Sequence, residues 1–187
     1  MTYHRLGDAE LYNLLREERS VAEAAFTELY ARHSSRVFAY CKCIIGEHEQ
    51  TKDVYQETFI RFFESARVKK EMTNVSAYLL MIARNLCLNV KRNLKETIDL
   101  DAYEIPHIDT SQEHKELVQL IMTALELLPD DYREAFFLRE FEDLPYAEIA
   151  TIQQTNEGAV RVRVTRARKK IREILKPYVA ELTQHGQ

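Results

Sequence analysis

The sequence predicts an all-α protein made of two small helical domains. Three observations lead there. Gly and Pro are scarce, four of each in 187 residues, so helix breakers are few. Apolar residues recur mostly three and four apart, the repeat of a helix face. One stretch, Thr97 to Ser111, loses that repeat, contains Pro106 and is acidic. It reads as a flexible linker. The domains are therefore expected at 1–96 and 112–187, with the linker over 97–111.

Asp8 is a candidate cap for a first helix, Ala9 to about Arg19. Ser20 and Glu23 have the spacing of a capping box, which opens a second helix through Phe26, Leu29, Tyr30, Val37, Phe38 and Ile44. Ser34-Ser35 is a possible break in it, and Gly46 a stop. A third helix is expected from about Gln50 to Arg67, followed by a polar loop from Val68 to Thr73. Asn74 or Ser76 caps a fourth helix that runs to about Lys95. Helices resume at Gln112–Leu128, Asp130–Phe141, Pro145–Gln153 and Asn156–Leu175.

Composition excludes several function classes. With 45% hydrophobic and 30% charged residues, the chain reads as globular. It has no run of about 18 apolar residues, so no membrane insertion is expected. The N-terminal stretch lacks a basic-then-apolar signal pattern, which makes a cytoplasmic location the expectation. Cys41, Cys43 and Cys87 are an odd set without a CxxC pair. They read as buried thiols rather than a disulfide framework or zinc site, with Cys41 and Cys43 on different sides of their helix. The six His are scattered. No cofactor is expected. No nucleotide loop, nucleophile–base pair or metal cluster marks an enzyme, and Asp130-Asp131 reads as helix-start charge.

Charge is segregated along the chain. The net charge is −4, yet Asn156 to Leu175 holds five Arg and two Lys against two Glu. Glu96 to His114 holds six acids and no Lys or Arg. In the basic segment Asn156 is a good N-cap. Val160, Val164, Ala167 and Ile171 form one apolar face, and Arg161, Val162, Thr165, Arg166 and Lys169 form the opposite one. A short helix, a tight turn and a basic second helix suit a DNA major groove. A solvated basic face is the plainer alternative.

Two further faces stand out. The third helix buries Val54, Tyr55, Phe59, Phe62, Phe63 and Ala66, and shows Asp53, Gln56, Glu57, Ile60, Arg61 and Glu64. An apolar residue ringed by charges is a common interface footprint, though one exposed Ile is also ordinary. The fourth helix buries Leu79, Ile82, Ala83, Leu86 and Val90, and shows Met81, Arg84, Leu88, Lys91 and Arg92. Lys69 and Lys70 precede it, with Asn74, Tyr78 and Asn85 nearby. Cations can track phosphates while an aromatic ring or amide engages an unstacked base. A solvated helix end with a structural Tyr78 is the alternative.

The order of these segments resembles that of bacterial RNA polymerase sigma factors of the extracytoplasmic-function (ECF) group of the sigma-70 family. DVYQETFIRFF (Asp53 to Phe63) resembles the core-binding helix of region 2, and AYLLMIARNLCLNVKR (Ala77 to Arg92) the helix after it. ALELLPDDYREAFFLREFEDLPYAEIA (Ala124 to Ala150), followed by AVRVRVTRARKKI (Ala159 to Ile171), resembles the helix-turn-helix of region 4.

The resemblance implies a transcription initiation factor that binds the polymerase core and promoter DNA. Asp53, Gln56, Glu57, Ile60 and Arg61 would dock on the clamp helices of the largest subunit. Lys69, Lys70, Asn74, Tyr78, Arg84, Asn85, Lys91 and Arg92 would hold the −10 element. Phe136, Phe137 and Phe141 would support contact with the flap of the second-largest subunit. Asn156, Glu157, Arg161, Val162, Thr165, Arg166 and Lys169 would read the −35 element. The linker would run toward the RNA exit path. An anti-sigma partner stays open.

The chain departs from the family pattern in several places. Gln154 and Thr155 stand where a Gly and an aliphatic residue are usual, Pro145 where a Ser cap is usual, and Tyr78 where Trp is common. Val162 stands where a polar reader is common; a Val can touch a thymine methyl. Two rival functions are a helix-turn-helix regulator, which would need a sensing domain of strands and Gly-rich loops, and a sigma-like adaptor that depends on another DNA-targeting factor.

Overall fold

The computed structural model describes residues 3–46, 49–68, 72–97, 121 and 123–184, the side chains of 94–97 and 177–184 excepted. The linker expected over 97–111, apart from Thr97, lies outside them. So do Lys69, Lys70 and the start of the helix expected at Gln112. Every regular element among the described residues is helical, in two compact units, Met1–Asp99 and Leu100–Gln187.

Unit 1 holds a 3-10 turn, Tyr3–Arg5, and four helices: α1 (Asp8–Leu14), α2 (Arg19–Ile45), α3 (Glu49–Ser65) and α4 (Val75–Thr97). The long α2 is the spine on which the others pack. Its buried stripe, Ala22, Ala25, Leu29, Val37, Tyr40, Cys41 and Ile44, runs past Ser34-Ser35 without the expected break. His33 keeps the stripe continuous there, its Nε2 2.7 Å from Asp8 Oδ2. Gly46 ends α2 at φ 93°, where a Cβ would be strained, and its N–H donates to Lys42 O at 2.9 Å. All three Cys are buried, and none is in a disulfide.

The first turns differ from expectation. Asp8 does not cap α1. Gly7 occupies that place, and its N–H donates to Glu10 Oε2 at 2.7 Å. The Asp8 carboxylate instead accepts from Arg32 Nη1 at 2.8 Å as well as meeting His33. Arg32 also donates to Leu6 O and Glu28 Oε1, at 2.9 and 2.8 Å, which pins the N-terminal turn to α2. Burial pushes the Asp8 carboxyl up, but the Arg32 and His33 hydrogen bonds and charges outweigh it and hold it below its ordinary value. α1 stops at Leu14 rather than near Arg19; Arg16 Nε just beyond it donates to Ala66 O at 2.7 Å. The capping box at Ser20 is not formed either. Arg19 Nε takes the Glu23 carboxylate at 2.7 Å, and Ser20 Oγ turns to Glu18.

Unit 2 holds α5 (Asp130–Glu140), α6 (Tyr146–Ile152) and α7 (Glu157–Gln184), with residues 121 and 123–126 also helical. Leu138, Ile149, Ile152, Val160 and Val164 close the core where the three helices meet. Further along α7, Ala167 and Ile171 pack with Ala124, Leu125 and Leu128. α7 continues past the expected Leu175 and through Pro177.

Candidate polymerase and nucleic-acid interfaces

The outer face of α3 follows from a strongly one-sided helix. Val54, Thr58, Phe59 and Phe62 are buried, so Asp53, Gln56, Ile60, Arg61 and Glu64 face solvent. Ile60 is 52% exposed. Glu57 is half-buried and accepts from Arg61 Nε at 2.7 Å, which fixes one charged edge beside the Ile. What the third-helix wheel alone could not give is the contribution of α2. Tyr30 and Phe38 stand exposed on it, and rings from both helices interleave: Phe26 on Phe63 at 5.5 Å, Tyr30 on Phe59 at 4.8 Å, Phe38 on Tyr55 at 5.5 Å. Phe26, Tyr30, Tyr55, Phe59 and Phe63 floor an open groove of about 620 Å³ that Ile60 borders. Tyr55 donates to Tyr30 Oη at 2.5 Å; burial, with that bond, pushes its hydroxyl up to about 12.

The expected −10 residues divide. Asn74 rather than Ser76 caps α4, its Oδ1 accepting from Ala77 N at 2.9 Å, so that oxygen is already engaged. Ser76 instead meets Arg36 Nη1 at 2.6 Å. Tyr78 is half-buried with its ring 6.3 Å from that of Phe62. Asn85 and Arg92 are exposed and Lys91 is half-buried. Arg84 is only 9% exposed and does not belong to the outward face expected of it. Leu80 and Cys87, four and three residues from it, are fully buried and widen the inward stripe to include its position.

In unit 2 the basic helix has the faces that its spacing predicts. Val160, Val164 and Ala167 are fully buried; Arg161, Val162, Thr165, Arg166 and Lys169 are exposed, Val162 at 47%. Asn156 caps the helix through Oδ1 to Ala159 N at 2.9 Å. The turn before it is a Schellman closure, with Thr155 N donating to Ala150 O at 2.9 Å and Gln154 N to Thr151 O at 3.3 Å. Gln154 takes φ 52°, the left-handed conformation where Gly would be unstrained. Pro145 supplies no side-chain cap to α6.

The cations of α7 are oriented by their own unit. Arg161 lies 4.4 Å from the Tyr146 ring centroid and 3.4 Å from Glu157 Oε2. Arg166 Nη1 meets Tyr132 Oη at 3.2 Å, and Arg168 Nη2 meets Glu140 at 2.6 Å. Residue type and spacing do not mark Tyr146 or Arg163 as partners in this face. Arg163 has a signal in hindsight, since it sits three residues after Val160 at the edge of the buried face. Phe141 is 55% exposed, its ring stacked on Phe137 at 5.4 Å. Among the described residues no group of His, Cys, Asp or Glu is arranged to hold a metal, and no helix is long and apolar enough to cross a membrane.

The sequence matches family models at both of these places: Sigma-70 region 2 over residues 29–97 and Sigma-70, region 4 over residues 118–171, together more than half of the chain. The chain belongs to the ECF group of the sigma-70 family. It is 30% identical over 171 residues to the ECF RNA polymerase sigma factor SigE of Mycolicibacterium smegmatis, covering 87% of this chain and 66%, just under two thirds, of that protein. It is 28% identical to RNA polymerase sigma factor CarQ of Myxococcus xanthus, covering 84% of this chain and 92% of that one. The fold is similar to that of the Bartonella quintana sigma factor RpoE, solved with the anti-sigma factor NepR, at TM-score 0.69 and 23% identity over 81% of this chain and 96% of that one. It also resembles CnrH, solved with the cytosolic domain of CnrY, at TM-score 0.68 and 19% identity over 91% of this chain and 99% of that one. As a sigma factor the protein is a transcription initiation factor that directs RNA polymerase to promoters, and it is not an enzyme.

Proposed function

We propose that the two units divide promoter recognition between them. Asp53, Gln56, Glu57, Ile60 and Arg61 dock on the clamp helices of the largest polymerase subunit. Tyr78, Asn85, Lys91 and Arg92 contact the −10 element, with Lys69, Lys70 and Asn74, which precede α4 in the sequence. The exposed Phe141, with Phe136 and the buried Phe137 beside it, supports contact with the flap of the second-largest subunit. Asn156, Glu157, Arg161, Val162, Thr165, Arg166 and Lys169 enter the −35 duplex. The domain limits of 1–96 and 112–187, the linker path toward the RNA exit and a cytoplasmic site of action belong to the same reading. An anti-sigma protein that masks these faces is a further proposed partner.

The observation that carries the reading is Ile60, a large aliphatic side chain more than half exposed on the charged face of an otherwise well-buried helix. The chemistry fits. Extruding a base from the stack costs a few kcal/mol, which binding contacts offset without covalent steps. Two tethered units make the second contact effectively intramolecular, so modest contacts combine. Low net charge keeps the free protein a weak, salt-sensitive duplex binder.

Transcription with purified core polymerase on a library of random promoters tests the whole. Initiated products with shared −10 and −35 sequences are expected. Core binding without any product would favour the adaptor. Ile60→Asp is expected to remove core association while the fold persists; unchanged association would defeat the docking face.

A further inference from the structure

Gln153 ends α6 as a buried amide, 5% exposed, at the junction of all three helices of unit 2. Its Nε2 donates to Asp131 O at 3.0 Å and to Glu134 Oε2 at 2.9 Å. Its Oε1 accepts from Arg163 Nη1 at 2.8 Å, and the other arm of that guanidinium, Nη2, meets Asp131 Oδ2 at 2.9 Å. One side chain thus ties the first turn of α5 to the second turn of α7. Both donor hydrogens and the acceptor of the amide are used.

The surroundings make this tie matter. The face that α7 buries here is Val160, Val164 and Ala167, small side chains with shallow relief. The turn that should fix its angle carries a left-handed Gln154 and a half-buried Thr155, so little apolar packing steadies it. The residues proposed to read the duplex, 156–169, bracket Arg163 on α7, which rises about 1.5 Å per residue, so a slide of α7 by one or two residues' rise at the tie carries that whole face by ångströms. A base-pair step along duplex DNA is about 3.4 Å.

We infer that Gln153 is a positioning residue for promoter reading: through Arg163 it sets the register between the Phe136–Phe141 side of α5 and the outward face of α7. The inference rests on the proposal that these two surfaces face polymerase and the −35 duplex. It adds that the preferred spacing between promoter elements is written in a buried hydrogen-bond network, by residues that touch neither partner.

The test uses the full chain with core polymerase on promoters that differ only in the −35 to −10 spacer, in single-base-pair steps, and on one set with the −35 element scrambled. Gln153→Met removes the amide's three hydrogen bonds, leaving the Arg163–Asp131 pair, and takes one partner from the buried Glu134 carboxylate, so Gln153→Met/Glu134→Met is compared with it, because replacing both partners by apolar groups limits the cost of the lost hydrogen bond. Arg163→Lys keeps the charge at the half-exposed rim and loses the two-armed fork. Melting of each variant is recorded alongside. The double variant is expected to recover native melting yet lose spacer discrimination by about fivefold, the size of one altered contact, or to shift its optimum by a base pair. Arg163→Lys is expected to move the profile the same way. A folded double variant or Arg163→Lys protein with the native spacer profile overturns the positioning role. A native protein indifferent to scrambling of the −35 element would instead remove the −35 reading beneath it.

Discussion

The two units seat their working helices by opposite means. In unit 1, α3 rests on rings: Phe59 and Phe62 are buried, and Phe26, Tyr30, Tyr55 and Phe63 extend the contact to the surface. In unit 2, α7 rests on Val and Ala, and polar partners align it: Asp131, Tyr132, Glu140, Tyr146 and Gln153. Rings bury much area without demanding a narrow geometry. Hydrogen bonds add less net energy and fix direction more tightly. The contrast suits the proposed tasks, since a protein-docking helix needs a firm seat and a base-reading helix needs an exact angle.

The comparison can be broken in four places, taken from the largest expected effect downward. Phe62→Ala leaves a cavity at the centre of the aromatic seat and is expected to destabilise unit 1 by about 3–5 kcal/mol. Hydrogen exchange in α3 should accelerate while α7 peptides stay as they were; equal acceleration in both would mean that the units do not fold separately. Acid comes next. The folded Asp8 carboxyl is depressed, so its stabilisation is complete above its unfolded value and is lost as pH falls through the folded one. Unit 1 should therefore weaken in acid, and Asp8→Asn should flatten that dependence when unfolding is followed against pH. A variant with the native slope would exonerate Asp8.

Gln154→Gly relieves the left-handed strain and is expected to raise unit 2 stability by about 1 kcal/mol, net of the added freedom of the unfolded chain. A lower unfolding midpoint would show that the Gln side chain contributes more than its backbone costs. Smallest is Tyr146→Leu, which removes the ring beside Arg161 and Arg139 and should cost about 0.5–1 kcal/mol. A double-mutant cycle with Arg161→Met measures that coupling, and a value near zero would mean the stack is incidental.

Much of this was legible in the sequence because hydrophobic spacing is a local code. The outward positions of α3 and α7 follow from it, as does the Asn156 cap. The first turns did not follow. Asp8, Ser20 and Glu23 look like cap residues by type, but Arg32 and Arg19 compete for the same carboxylates, and only the fold brings Arg32 to Asp8 across 24 positions. Arg84 differs for a related reason: a charged residue type suggests an outward position that a wide inward stripe does not allow. The polar seat of α7 was invisible because periodicity reports burial and says nothing of which buried amide meets which guanidinium. The roles of the exposed residues go beyond what spacing holds; they came from resemblance and await the experiments above.

The three buried cysteines all belong to one unit. A thiol-reactive dye added to the native protein therefore has nothing to label until that unit opens, and the other unit stays silent throughout. The molecule carries its own clock for one half of its breathing, with no probe to engineer: the labelling rate of Cys41, Cys43 and Cys87 reads how often the aromatic-cored half comes apart, alone or while polymerase holds it shut.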